Sequence, residues 1–152
     1  MRERKRNRML NYDYSANNLY FITSSTKYRI HYFGEVENKK MILNAMGEIA
    51  HQQWNWLIQQ YPYIKSHAFI VMPDHMHAIL EINATHTLDV KIKSLSELMG
   101  AYKTTTSKRI HLLGYADFAW HRSFHDHIIR NDEEYRYIYD YIVKNPLLWN
   151  KK

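Results

Sequence analysis

Cysteine is absent from the chain. Its absence removes any disulfide framework and any thiolate metal site, and it suits a reducing cytoplasm. Glycine occurs four times and proline three times. No glycine-rich loop is available to cradle phosphates, which argues against a nucleotide-binding enzyme. No apolar run reaches membrane-spanning length, and the N-terminus lacks the apolar stretch of a signal peptide, so no membrane partner is expected. Acidic side chains are in the minority, 15 against 21 lysines and arginines, for a net charge of +6.

What remains is a chain of 152 residues, 45% hydrophobic, sized for a single domain over 1–152. Its charge favours a polyanion as partner. Thirteen tyrosines and four tryptophans supply rings that, beside positive charge, suit stacking on unpaired bases. Arg2, Arg4, Lys5, Arg6 and Arg8 form a basic arm within residues 1–10, placed to meet phosphate.

The periodicity predicts a strand at Leu19–Thr23 and a loop from Lys27 to Gly34. A helix follows from about Asn38 to Gln60, with Ile42, Met46, Ile49, Trp56 and Leu57 along one side. Ile64–Met72 and His75–Ile82 read as a hairpin joined by a tight Pro73-Asp74 turn, and Asn83–Val90 as a loop. Ser94 and Glu97 make a capping-box signature for a helix with Leu95, Leu98, Met99, Tyr102, Thr106 and Leu113 on its buried stripe, ending at Gly114. A second stripe of Ser96, Gly100, Lys103 and Ser107, with Lys108 and Arg109 nearby, could lie close to a phosphate backbone or simply face water. Phe118–Arg130 contains a further strand, and Asn131 opens a last helix that runs to about Asn145, where Pro146 stops it. The order β-α-β-β-α-β-α predicts an α+β, ferredoxin-like sandwich: a four-stranded antiparallel sheet with helices on one face plus a C-terminal helix.

His75 and His77 lie two apart on a predicted strand and therefore project from one face, while Met76 points into a core. Two imidazoles so placed can hold one divalent metal if a third ligand comes from elsewhere; two ordinary histidines at a strand end would read the same way. The last helix carries Tyr135, Tyr137, Tyr139 and Tyr141. Of these, Tyr141 alone has a possible metal ligand four residues on, Asn145, on the same helix face. Ile138 and Ile142 mark the buried stripe, so Tyr141 and Asn145 fall on its flank, either facing the histidines or packing at the helix edge.

At this point the chain resembles a family. His75-Met76-His77 is similar to the His-hydrophobic-His motif of HUH endonucleases. Asp140-Tyr141-Ile142-Val143-Lys144-Asn145-Pro146 resembles the tyrosine helix of the REP-associated tyrosine transposases, within the IS200-like group. Asn11-Tyr12-Asp13-Tyr14-Ser15, Tyr20-Phe21-Ile22-Thr23, Trp120-His121-Arg122 and Asp126-His127-Ile128-Ile129-Arg130-Asn131 also look familial. The resemblance implies the ferredoxin-like fold, a divalent metal on His75, His77 and Asn145, and Tyr141 as a nucleophile that becomes covalently joined to single-stranded DNA. Single-stranded or hairpin DNA is then the expected partner, of a monomer or a homodimer. Lys103, Lys108, Arg109, Arg122 and His127 join the arm as expected DNA contacts. His125-Asp126-His127 is a second His-x-His, but its charged middle residue cannot easily be buried, so His75 and His77 are preferred as the metal pair.

The chemistry suits these residue types. A phenol is a weak nucleophile until deprotonated, and a nearby cation favours phenolate and polarises the phosphate. Two imidazoles and an amide oxygen are neutral, so the ion keeps its full charge; Mg²⁺ or Mn²⁺ with open positions fits. Two other readings stand beside this one. His75, His77 and Glu81 match a cupin-like spacing, which would require an all-β chain, and a domesticated transposase could bind DNA hairpins without cutting them.

Overall fold

The computed structural model describes residues 18–83 and 91–150. The expected DNA contacts Arg2, Arg4, Lys5, Arg6 and Arg8, and the expected loop after Asn83, lie outside the described residues. Along the chain run β1 (Asn18–Ser25), β2 (Gly34–Glu37), β3 (Lys40–Leu43), α1 (Ala45–Gln60), β4 (Ile64–Met72), β5 (His75–Ile82), α2 (Leu95–Leu112), β6 (His125–Ile128), α3 (Asp132–Val143) and α4 (Asn145–Leu148).

Four of the strands form one antiparallel sheet in the order β4-β5-β1-β6. This is the expected α+β, ferredoxin-like arrangement, with α1 and α2 on one face and α3 on the other. Each face has its own core. Trp54, Tyr102, Trp120, Phe33 and Phe118 fill the first, where Trp54 stacks on Phe69 at 5.0 Å and the Tyr102 hydroxyl donates to the Ala50 carbonyl at 3.0 Å, tying α2 to α1. Leu19, Ile79, Ile129, Tyr135, Ile138 and Ile142 fill the second, beneath α3. Such large rings dominate the energy of burial.

The structure departs from expectation in several places. Residues 38–43 do not start a helix; with residues 34–37 they form a separate hairpin, β2–β3, that turns on Asn38 and Lys39 with φ of 53° and 63°. Val36, Met41 and Leu43 alternate along it at a period of two, and two positive-φ residues give the turn whose twist matches a hairpin. Helix α1 therefore starts after Asn44, whose side chain caps Gly47 N at 2.9 Å. Trp54, rather than Trp56, lies on its fully buried stripe. In α2 both capping-box bonds between Ser94 and Glu97 form, but the stripe ends on Ile110; Leu113 is the exposed C-cap. Pro146 does not end the last helix. The helix stops at Val143, and Pro146 sits in the first turn of α4, where its missing N–H costs nothing.

Two glycines of the helices provide a test. A Cβ at Gly47 would lie 2.2 Å from the Phe33 carbonyl oxygen, because α1 docks closely on the chain leading into β2; a Cβ at Gly100 would meet nothing within 4 Å. Gly47→Ala should therefore cost roughly 1–3 kcal/mol by overpacking, while Gly100→Ala should gain roughly 0.5–1 kcal/mol from helix propensity. Thermal unfolding followed by circular dichroism measures both, and equal shifts would contradict the docking of α1.

Candidate active site

Strand β5 lies between β4 and β1. Its alternation sends Met76, Ala78, Leu80 and Ile82 into the α1–α2 core, and His75, His77 and Ile79 to the face under α3. Both histidines are nearly buried, 7% and 6% exposed, with ring centroids 4.6 Å apart.

A buried imidazole needs partners, and each ring has one at Nδ1. His75 Nδ1 lies 2.7 Å from Asp74 Oδ1, and Asp74 Oδ2 accepts from Arg29 Nε at 3.0 Å. Burial pushes the Asp74 carboxyl up, but the hydrogen bonds from His75 and Arg29 outweigh it and hold the group below its ordinary range. His77 Nδ1 lies 2.8 Å from Oγ1 of Thr23, its cross-strand partner on β1. In both rings the side-chain bond falls on Nδ1, and the His77 ring also has the Ile22 backbone as a hydrogen-bond partner. Burial, and then the adjacent His75, push the His77 imidazole down to about 3, so it is neutral at pH 7, the form that binds metal.

Helix α3 sorts its four tyrosines. Tyr135 is buried against His67 of β4 at 3.1 Å, Tyr139 stacks on Tyr135, and Tyr137 faces water. Tyr141 packs edge-on to Phe21, and its ring lies 5.4 Å from that of His77. It stays 39% exposed, open to a substrate from solvent. Asn145 is buried, and its Nδ2 donates to the Tyr141 carbonyl oxygen at 3.3 Å, which leaves the amide oxygen as the donor atom. Among the described residues no three His, Cys, Asp or Glu side chains converge on a metal position. Two imidazoles, each held at Nδ1, are present, and a neutral amide is the class of third donor that fits them.

The expected DNA contacts separate. Lys103, Lys108 and Arg122 line one groove of about 680 Å³ with Ser107 and Trp120. It lies on the α2 side of the sheet, across from the histidines. Lys103 donates to the His121 carbonyl at 2.8 Å, and partial burial lowers its pKa. Arg109 instead donates to Gln53 Oε1 at 2.8 Å, joining α2 to α1. His127 pairs with Glu134 in the first turn of α3. The cupin-like reading fails: the chain is α+β, and Glu81, six residues beyond His75 and so about 20 Å along the strand, bonds His67 at 2.8 Å. Sequence reasoning missed Thr23, Arg29 and Asp74. Only Asp74 carried a signal, directly before His75, and there it read as a turn residue.

No family model matches the chain. An uncharacterised protein of Haemophilus influenzae is 29% identical over 159 positions, covering 95% of this chain and 88% of the relative. Among solved structures, a REP-associated tyrosine transposase bound to a REP hairpin superposes with a TM-score of 0.61, at 22% identity, over 97% of this chain and 74% of that one. The chain has the fold of that transposase. A candidate transposase from Deinococcus radiodurans gives a TM-score of 0.55 at 17% identity, covering 96% and 98% of the two chains. No helix among the described residues is long and apolar enough to cross a membrane.

The burial of His77 sets a pH dependence. The folded protein keeps this ring neutral down to about 3, whereas the unfolded chain protonates it below 6.5. Unfolding therefore takes up a proton in that window, and the metal-free protein should lose stability as pH falls through it, by up to ~1.4 kcal/mol per pH unit. Asp74, held low, gives up its contribution only below 3.8. Melting temperatures recorded from pH 7 to 4 should fall, and more shallowly for His77→Gln; parallel slopes would mean that the ring protonates without unfolding.

Proposed function

We propose that the chain is a metal-dependent HUH tyrosine transposase that cuts and rejoins single-stranded DNA through a 5′-phosphotyrosine at Tyr141. The observation that carries this reading is the contact of the Tyr141 ring with His77, itself beside His75, with each imidazole held at Nδ1 by a side-chain hydrogen bond. His75, His77 and the Asn145 amide oxygen would hold Mg²⁺ or Mn²⁺. When bound, such an ion would neutralise phosphate charge and favour the phenolate.

The residues do the rest. Asp74 and Thr23 fix the two imidazoles, while Phe21 braces the Tyr141 ring. The Tyr141 hydroxyl oxygen attacks the phosphorus and gives its proton to solvent. The P–O3′ bond breaks, and the departing 3′ oxygen takes up a proton. The 5′ phosphate stays on the tyrosine, conserving the energy of the phosphodiester, and the 3′-hydroxyl of another strand can displace it by the reverse step. Lys103, Lys108 and Arg122 give the DNA backbone a groove, with the basic arm as a second contact. The related fold bound to a REP hairpin supports single-stranded or hairpin DNA as the partner.

Tyr141→Phe should abolish the covalent adduct with labelled single-stranded DNA while folding and binding persist, since one hydroxyl is lost and the ring is kept. Tyr137→Phe and Tyr139→Phe should retain the adduct. His75→Ala and His77→Ala should lose it together with manganese binding, and Asn145→Ala should weaken manganese binding less than either. Mass spectrometry of the adducted peptide decides; an adduct on Tyr141→Phe protein would refute the assignment.

Binding itself should weaken steeply with salt. If about five cationic side chains neutralise phosphates, the log–log slope on single strands should be roughly −3 to −4. Deleting Arg2 to Arg8 should make it shallower. A slope near zero in a filter-binding titration would show that the charge is not a DNA footprint.

A further inference from the structure

Next to His75 lies a cavity of about 430 Å³ lined by Arg29, His31, Asp74, Trp149 and Asn150. The cleavage chemistry above does not use it, yet it is built from parts suited to a ligand. The Trp149 ring lies 5.5 Å from that of His31 and 6.3 Å from that of His75, and its Nε1 is buried without a hydrogen-bond partner. Arg29 spends only Nε on Asp74, and its side chain is 60% exposed, so both Nη groups remain for an anion.

The loop that presents Arg29 is strained. Tyr28 and Arg29 have φ of 59° and 56°, a region that L side chains avoid and that recurs at functional sites. Thr26 pins the turn: its N–H donates to the Asp74 carbonyl at 2.9 Å, its hydroxyl to the Ile30 carbonyl at 2.7 Å, and its carbonyl accepts from Arg29 N at 3.1 Å. The result exposes Tyr28, with Lys27 Nζ 5.3 Å from the centre of its ring. Rings interleaved with cations beside a phosphodiester site are the composition of a stacking platform for unpaired bases. The two carboxylates nearby are already engaged, Asp74 by Arg29 and His75, and Glu35 by His31.

We infer that this cavity holds one unpaired nucleotide of the DNA strand beside the scissile phosphate, with its base against Trp149 and a flanking phosphate on Arg29. Its position next to the cleaved bond rests on the reading of Tyr141 as nucleophile; nucleotide binding in the cavity does not.

The test separates the two. In full-length Tyr141→Phe protein, where no covalent step can occur, oligothymidylate should quench tryptophan fluorescence. Adding Trp149→Phe should remove most of that quench, and adding Trp149→Ala should weaken binding about tenfold, the size of one base–aromatic stack. Manganese affinity should not change in either. Quenching and affinity untouched by both substitutions would overturn the proposal, as would a loss of manganese affinity, which would make Trp149 a support for His75. In active protein, removing the base next to the cleavage point should slow adduct formation, and in Trp149→Ala the same removal should have no further effect. A Trp149-dependent quench with no adduct on any strand would uphold the nucleotide site and refute the nucleophile.

Discussion

A strand buried on both faces has no place for an unpaired polar group, and β5 is such a strand with two histidines on it. Their burial is what the rest of the site answers to. Asp74, in the turn that launches the strand, occupies one imidazole, and Thr23, opposite on β1, occupies the other. Both bonds fall on Nδ1, so both rings present the other nitrogen in the same neighbourhood, 4.6 Å apart by their centroids. Preorganisation here is a by-product of satisfying hydrogen bonds in a core. Arg29 extends the chain by one link, and its cost is a loop held in left-handed backbone conformations.

The second core, under α3, brings the tyrosine. Ile138 and Ile142 anchor the helix against Leu19 and Ile79, and their spacing leaves Tyr141 over Phe21 and His77. The four tyrosines fall into two same-face pairs, Tyr135 with Tyr139 and Tyr137 with Tyr141, and the docking of the helix then separates the members of each pair: buried and stacked in the first, exposed and set against the site in the second. The break after Val143 and the new turn at Asn145 then carry the chain back across the histidines, ending with Trp149 beside His75.

Net positive charge is not spread evenly over function. Arg109 is spent holding α2 to α1, and Arg29 gives its Nε to Asp74, while Lys103 is partly buried against the chain at His121. What remains in the α2 groove lies on the opposite side of the sheet from the histidines. A strand of DNA that used both would have to pass around an edge of the sheet, which is easier for an unpaired strand or a hairpin end than for a stiff duplex.

The sequence alone determined the sheet, the three long helices and the pairing of His75 with His77 on one face, because these follow from local periodicity: two residues per repeat in a strand, a capping box before a helix, an Asn at a helix start. It also singled out Tyr141 with Asn145, since an i, i+4 relation is local too. The tertiary structure decided everything that depends on partners distant in the chain. Only the register of β1 against β5 sets Thr23 on His77; only the folding back of a strained loop sets Arg29 on Asp74; only the return of α4 sets Trp149 on His75. The β2–β3 hairpin was missed because the apolar residues of 38–43 satisfy a helical period as readily as a strand period, and only the pairing of that stretch with residues 34–37 decides for the strand. Local spacing tells which side chains share a face, but what meets that face is set by packing between segments far apart in sequence.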